Sequence, residues 1–239
     1  MDDLINKPDC IFKSAQLSGL EITDADMALI NTYALSPLTP EDVFVFRAVL
    51  CDNRIDRDHE RFSLQALTDL KRLFPGKPVI SDHSWSAKNQ VARIFSAEIE
   101  TTSEQLDTGE PYTRLVAKIY MVRTNANKNL IAEINGGIRK EVSVGVRVGD
   151  AKCSICGARA GSCSHCAGHK YEVDGELREC SYVLASCTDA YELSMVPIPA
   201  QPAAAICKRY NPRTEIDPKS INARLRIARA KINAMEEEQ

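Results

Sequence analysis

Glu141-Val142-Ser143-Val144-Gly145-Val146-Arg147-Val148 alternates without a break. Four valines fall on one face of an extended strand, and Glu141, Ser143, Gly145 and Arg147 fall on the other. Outward from this strand, the chain keeps offering strands. Residues 43–50 are rich in β-branched and aromatic side chains. Residues 91–100 and 113–122 follow, with Thr108-Gly109 between them suited to a tight turn. Residues 191–196 read as a last strand before a proline-rich stretch that ends at Pro202. Helical signals are fewer. Residues 24–33 carry Thr23 or Asp24 as a cap, residues 64–74 carry Ser63, and residues 127–134 stop at Gly136-Gly137. The pattern predicts an α+β, mostly β, barrel-like domain with a few flanking helices.

The chain has 239 residues, 44% of them hydrophobic, which is enough to bury a core. A net charge of −3 gives no general argument for nucleic-acid binding. No apolar run reaches the roughly 18–20 residues of a membrane span. Met1-Asp2-Asp3-Leu4 lacks the apolar region of a secretory signal, which predicts a protein kept in the cytosol. Nine cysteines in such a compartment call for an explanation other than disulfides. Six of the nine lie between Cys153 and Cys187, which points to a metal.

The four histidines sort by context. His165 and His169 sit among cysteines. His59 lies in the charged run Asp56-Arg57-Asp58-His59-Glu60-Arg61, which reads as solvated. His83 closes the apolar run Lys77-Pro78-Val79-Ile80-Ser81-Asp82-His83 and precedes Trp85, the one tryptophan. A histidine general base would therefore be His83. Ser143 faces away from the valines, and Gly145 leaves room for a substrate backbone. Spacing does not join the two residues, because such pairs are defined by geometry rather than order. Cys153-Ser-Ile-Cys156-Gly157 has the spacing of a zinc half-site. The other half can come from Cys163, His165, Cys166 or His169, with Cys180 in reserve. No His-Glu-x-x-His motif is present.

Several stretches, taken in order, resemble one family. They are Asp52-Asn-Arg-Ile-Asp56 with Arg61-Phe62-Ser63, Gly76-Lys-Pro-Val-Ile-Ser-Asp-His83, Ala92-Arg93-Ile94 and Glu141-Val-Ser-Val-Gly-Val146. Tyr191-Glu-Leu-Ser-Met-Val-Pro-Ile-Pro-Ala200 with Ala204-Ala205-Ile206 completes the set. Over about residues 40–207 the chain is similar to the capsid maturation (prohead) proteases of tailed bacteriophages, related in fold to herpesvirus assemblin. The resemblance implies a serine endopeptidase that processes scaffold protein, capsid protein and itself inside the assembling prohead, in the host cytoplasm. It implies His83 as general base and Ser143 as nucleophile. Glu192 is the first choice to orient the histidine and Asp56 is a further candidate, while Asp82, adjacent to His83 along a strand, would point to the other face. Gly145 N–H and Arg147 are candidates to stabilise an oxyanion. Some phage proteases carry Cys-x-x-Cys-Gly…Cys-x-His-x-x-Gly. On this chain that pattern implies Cys153, Cys156, Cys163 and His165 as ligands of a structural Zn2+, with Gly168 as the closing glycine.

The expected organisation is an N-terminal arm with a short helix (1–40), a protease domain (41–210) with a zinc knuckle inserted at about 151–190, and a linker with an amphipathic helix (211–239). In the last segment Ile221, Leu225, Ala228, Ile232 and Met235 form a seam suited to self-association or to a scaffold helix. Scaffold and major capsid proteins are the expected substrates, with no membrane partner. The alternative is a non-enzymatic zinc knuckle that binds nucleic acid or a capsid-assembly partner. Few aromatics and only modest basicity (Arg159, Lys170) argue against nucleic acid.

Overall fold

The computed structural model describes residues 20–211. The expected seam between Ile221 and Met235 and most of the N-terminal arm lie outside the described residues. The fold is α+β and mostly sheet. A short strand β1 (Leu20–Glu21) leads into helix α1 (Asp24–Asn31). Thr23 caps α1 and forms a reciprocal capping box with Asp26, an arrangement worth about 1 kcal/mol. Next come strands β2 (Val43–Asp52) and β3 (Glu60–Phe62), helix α2 (Leu64–Leu73) and strand β4 (Pro78–Ser81). The long strands β5 (Ala92–Gln105) and β6 (Pro111–Val122) precede helix α3 (Lys128–Asn135). Strand β7 (Val142–Cys153), the small hairpin β8 (Lys170–Val173) and β9 (Glu176–Glu179), and strands β10 (Tyr182–Met195) and β11 (Ala205–Asn211) finish the described chain.

Nine strands form one sheet in the order β1-β11-β2-β6-β5-β4-β10-β3, with β7 paired to β10. β10 is the last strand but one, between β4 and β3 on one edge and β7 on the other. β3 and β4 lie parallel to its two ends on one edge, and β7 runs antiparallel along the other. The ladders do not close into a barrel. The two free sides meet only at the single bridge between Glu141 and Ala205. β7 therefore has one edge fully paired and the other largely unpaired among the described residues.

β2 explains its own apolar run. Phe44, Phe46, Ala48 and Leu50 enter the main core, while Val43 and Val45 enter a second cluster under α1 with Ile22, Ile30 and Phe95. A strand buried on both faces has no polar face to alternate with. α2 seals the main core with Ala66, Leu67, Leu70 and Phe74. It is docked on β10 by the Ser63 N–H donating to Leu184 O at 3.0 Å and the Cys187 N–H donating to Asp69 Oδ2 at 3.2 Å.

Candidate active site and metal cluster

The proposed histidine and its acid meet. His83 Nδ1 lies 2.8 Å from Glu192 Oε1. The Glu192 side chain is 4% exposed and that of His83 is 44% exposed, so the pair runs from the core to the surface. β4 ends at Ser81, and both Asp82 and His83 adopt left-handed backbone, at φ 53° and 49°. The strand-like run therefore turns sharply at its end, and the turn aims the imidazole back over β10. The His83 N–H donates to Ser194 Oγ at 2.8 Å and fixes that turn.

Register supplies the serine. Ser143 stands directly opposite Ser194, and Gly145 stands opposite Glu192. Cross-strand partners share a face, with Cβ atoms about 4.5–5.5 Å apart. Ser143 thus lies on the face that carries Glu192 and the anchor of His83. No hydrogen bond joins its hydroxyl to the imidazole among the described residues. Such contacts are often long before substrate enters.

Gly145 has a definite reason. A Cβ there would lie 2.3 Å from Glu192 Oε1 and 3.1 Å from its Cδ. Only glycine lets the carboxylate stand upright beneath the imidazole. A bulge between Ala190 and Glu192 turns Tyr191 toward the same side as Glu192, and both line one cleft. The cleft has a volume of about 530 Å³ and also takes in His83, Ser143, Trp85 and Gln201. Trp85 and Tyr191 meet there with ring centroids 5.3 Å apart and planes tilted by 54°. Asp56, Asp58 and Glu60 form an acidic wall.

The other candidates fall elsewhere. Asp82 is exposed in the turn. Asp56 accepts the N–H groups of Asp58 and Glu60, both at 2.9 Å, and so shapes the wall. Arg147 is exposed opposite Asp189. There a hydrogen bond from Lys77, with help from the Arg147 charge, lowers the Asp189 carboxyl. Arg147 is not among the residues that line the cleft.

Burial pushes the Glu192 carboxyl above its ordinary 4.5, and His83 only partly offsets the effect. Glu192 Oε2 is buried without a partner. A raised folded-state value means that the fold favours the protonated acid. Its contribution to stability is full below 4.5 and declines as pH rises toward the raised value. Glu192→Gln should flatten that decline in thermal melts taken across this range. At neutral pH its melting temperature should match or exceed that of the wild type. An unchanged slope would assign the decline instead to Asp56 and Glu60, which burial also raises.

The cysteine cluster lies between β7 and β10. The ligand atoms of Cys153, Cys156, Cys163 and His165 all fall within 4.8 Å of one another. This is the set implied by the resemblance. His165 Nδ1 is buried with no hydrogen-bond partner. An orphaned imidazole nitrogen among three thiols fits a metal ligand set. Tyr171 of β8 packs edge-on against the His165 ring at 4.6 Å and accepts the Cys166 N–H at 2.9 Å. Burial opposes ionisation of Cys153, but the N–H groups of Cys156 and Ile155 hold its thiol down to about 6. Burial, then the neighbouring Cys153 with its sulfur 3.7 Å away, pushes Cys180 up to about 11. Cys153 is thus suited to bind as a thiolate. Cys166 and His169 are exposed and not part of the cluster.

His59 is solvated as its context suggested, with 45% of its side chain exposed, but it is not free. Its ring packs on Gly168 and bonds Glu179. No family model, no curated protein and no solved structure matches the chain.

Proposed function

We propose that the chain is a serine endopeptidase of the tailed-phage prohead protease class, with a herpesvirus-protease-like fold and a structural zinc knuckle. The observation that carries this reading is the 2.8 Å contact between His83 and buried Glu192, on the sheet face that Ser143 shares. A donor at His83 Nδ1 bonded to Glu192 leaves Nε2 to accept a proton. His83 then removes the Ser143 proton as Oγ attacks the scissile carbonyl. The same proton passes to the leaving amine, and water drawn through His83 releases the acyl group.

The largely unpaired edge of β7 supports an extended substrate that adds as a strand beside Ser143. Backbone N–H groups on that edge, such as that of Val144, are the candidates to meet the oxyanion, whereas Gly145 turns its N–H toward β10. Scaffold protein, capsid protein and the chain itself are the proposed substrates, inside the prohead. Cys153, Cys156, Cys163 and His165 would hold zinc with all four positions filled by protein. Such a site supplies folding energy rather than chemistry.

A fluorophosphonate probe tests the reading. Intact and peptide mass should show one adduct on Ser143, absent from His83→Asn. Labelling elsewhere, or none in folded protein, would remove the serine assignment. Gly145→Ala gives a second check, since its Cβ displaces the Glu192 carboxylate. Labelling should slow on the order of 10²–10⁴-fold, toward the cost of losing the acid in a triad. Adding Glu192→Ala should cost little more, because both changes break one contact.

A further inference from the structure

We infer that the metal hairpin braces the acidic wall of the cleft, and that His59 is the positioning residue that joins them. The inference rests on the metal reading above, but not on the protease reading.

The wall is a tight turn. The Asp56 N–H donates to Glu60 O at 2.8 Å, and the His59 N–H donates to Asp56 O at 3.2 Å. Asp56 Oδ1 gathers the N–H groups of Asp58 and Glu60. One end of the turn is tied to the sheet, where the Asp52 N–H and carbonyl both bond the Gln201 amide at 2.6 and 3.1 Å. The other end is tied to both sheet and hairpin. His59 Nδ1 is 2.9 Å from Glu179 Oε1 of β9 in the hairpin, and the Tyr182 N–H of β10 donates to His59 O at 2.9 Å where β3 joins the sheet.

The fit is close. A Cβ at Gly168 would lie 2.8 Å from His59 Nε2, so the imidazole lies flush on glycine backbone. Gly168 sits three residues after His165 in the chain, at φ 81°. Its N–H donates to Cys180 O at 2.8 Å. His59 itself is left-handed, at φ 58°, which turns its ring out of the wall and onto the hairpin. A cluster that fixes His165 thereby fixes Gly168, and Gly168 fixes the residue between Asp58 and Glu60. Without the hairpin, the wall keeps its anchors to the sheet and to Pro199 and Ala200, but nothing holds the His59 ring.

Amide hydrogen exchange on the full chain tests this, with zinc content measured on every sample. Chelation of wild-type protein should speed exchange of the Asp58 and Glu60 amides about tenfold, a local opening rather than global unfolding. His59→Ala should give the same increase with zinc retained. His59→Asn should restore slow exchange, because asparagine keeps a donor near the Nδ1 position and tolerates left-handed backbone. Unchanged exchange after verified loss of zinc would overturn the coupling. Wild-type exchange in His59→Ala would overturn the role of His59. If the protein proves to hold no zinc, the metal reading falls, and the His59 variants alone decide the brace. Probe labelling of Ser143 is scored separately, so failure of the protease reading leaves these outcomes intact.

Discussion

Ser143→Ala and His83→Asn should each lower peptide cleavage on the order of 10⁴–10⁶-fold, and the double variant should be no worse than either. A nucleophile and its base act as one unit, so the second loss removes nothing that remains. The Ser143→Ala melting temperature should stay close to wild type, because a half-buried strand hydroxyl contributes within about 0.5 kcal/mol. Asparagine is the better replacement for His83 than alanine, since it accepts the left-handed backbone found there. Self-cleavage followed by intact mass gives the same answer without a designed substrate. A Ser143→Ala protein that trims itself at the wild-type rate would disprove the assignment.

The second large effect is expected at the cysteine cluster. Purified wild type should carry about one zinc per chain, read by native mass spectrometry. Cys153→Ser should lose the ion, because Cys153 is the buried thiol whose ionised form the local N–H groups favour. Zinc contributes on the order of 10–16 kcal/mol in small finger peptides. Here most of that energy should appear as melting of residues 153–181 rather than of the sheet, whose core lies elsewhere. Cys166→Ser and His169→Ala should keep the metal. Loss of zinc from Cys166→Ser equal to that from Cys153→Ser would require a different ligand set.

Much of this was legible in the chain. Clean alternation marked β7, and caps and glycines bounded the three helices to within a few residues. Strand ends were less legible, for identifiable reasons. The alternation stops at Val148, yet β7 runs on to Cys153. Gly149 is there for close approach, since its Cβ would lie 2.9 Å from Thr188 and 3.0 Å from Ser186. β10 begins at Tyr182, well before the expected 191, because repeated bulges between Leu184 and Glu192 scramble its alternation. The excursion that carries the cysteines is correspondingly shorter than 151–190. An unclosed sheet replaces the expected barrel, because β7 meets the strand beyond it at one bridge only. Glu192 could be named from its motif, but its depth and its glycine partner could not. The docking of His59 left no local signal, since it depends on a glycine more than a hundred residues away.

The two left-handed residues at the end of β4 also bear on how the chain can change over time. Each such residue costs roughly 1–2 kcal/mol unless it is glycine, with aspartate and asparagine less penalised. Histidine shares some of that relief but not glycine's freedom, so the imidazole is still held against a backbone preference. Glycine at this position would give a sturdier molecule without the imidazole. Drift toward stability alone would erode the site here first, and a lineage that had abandoned the chemistry should show it at residue 83 before residue 143.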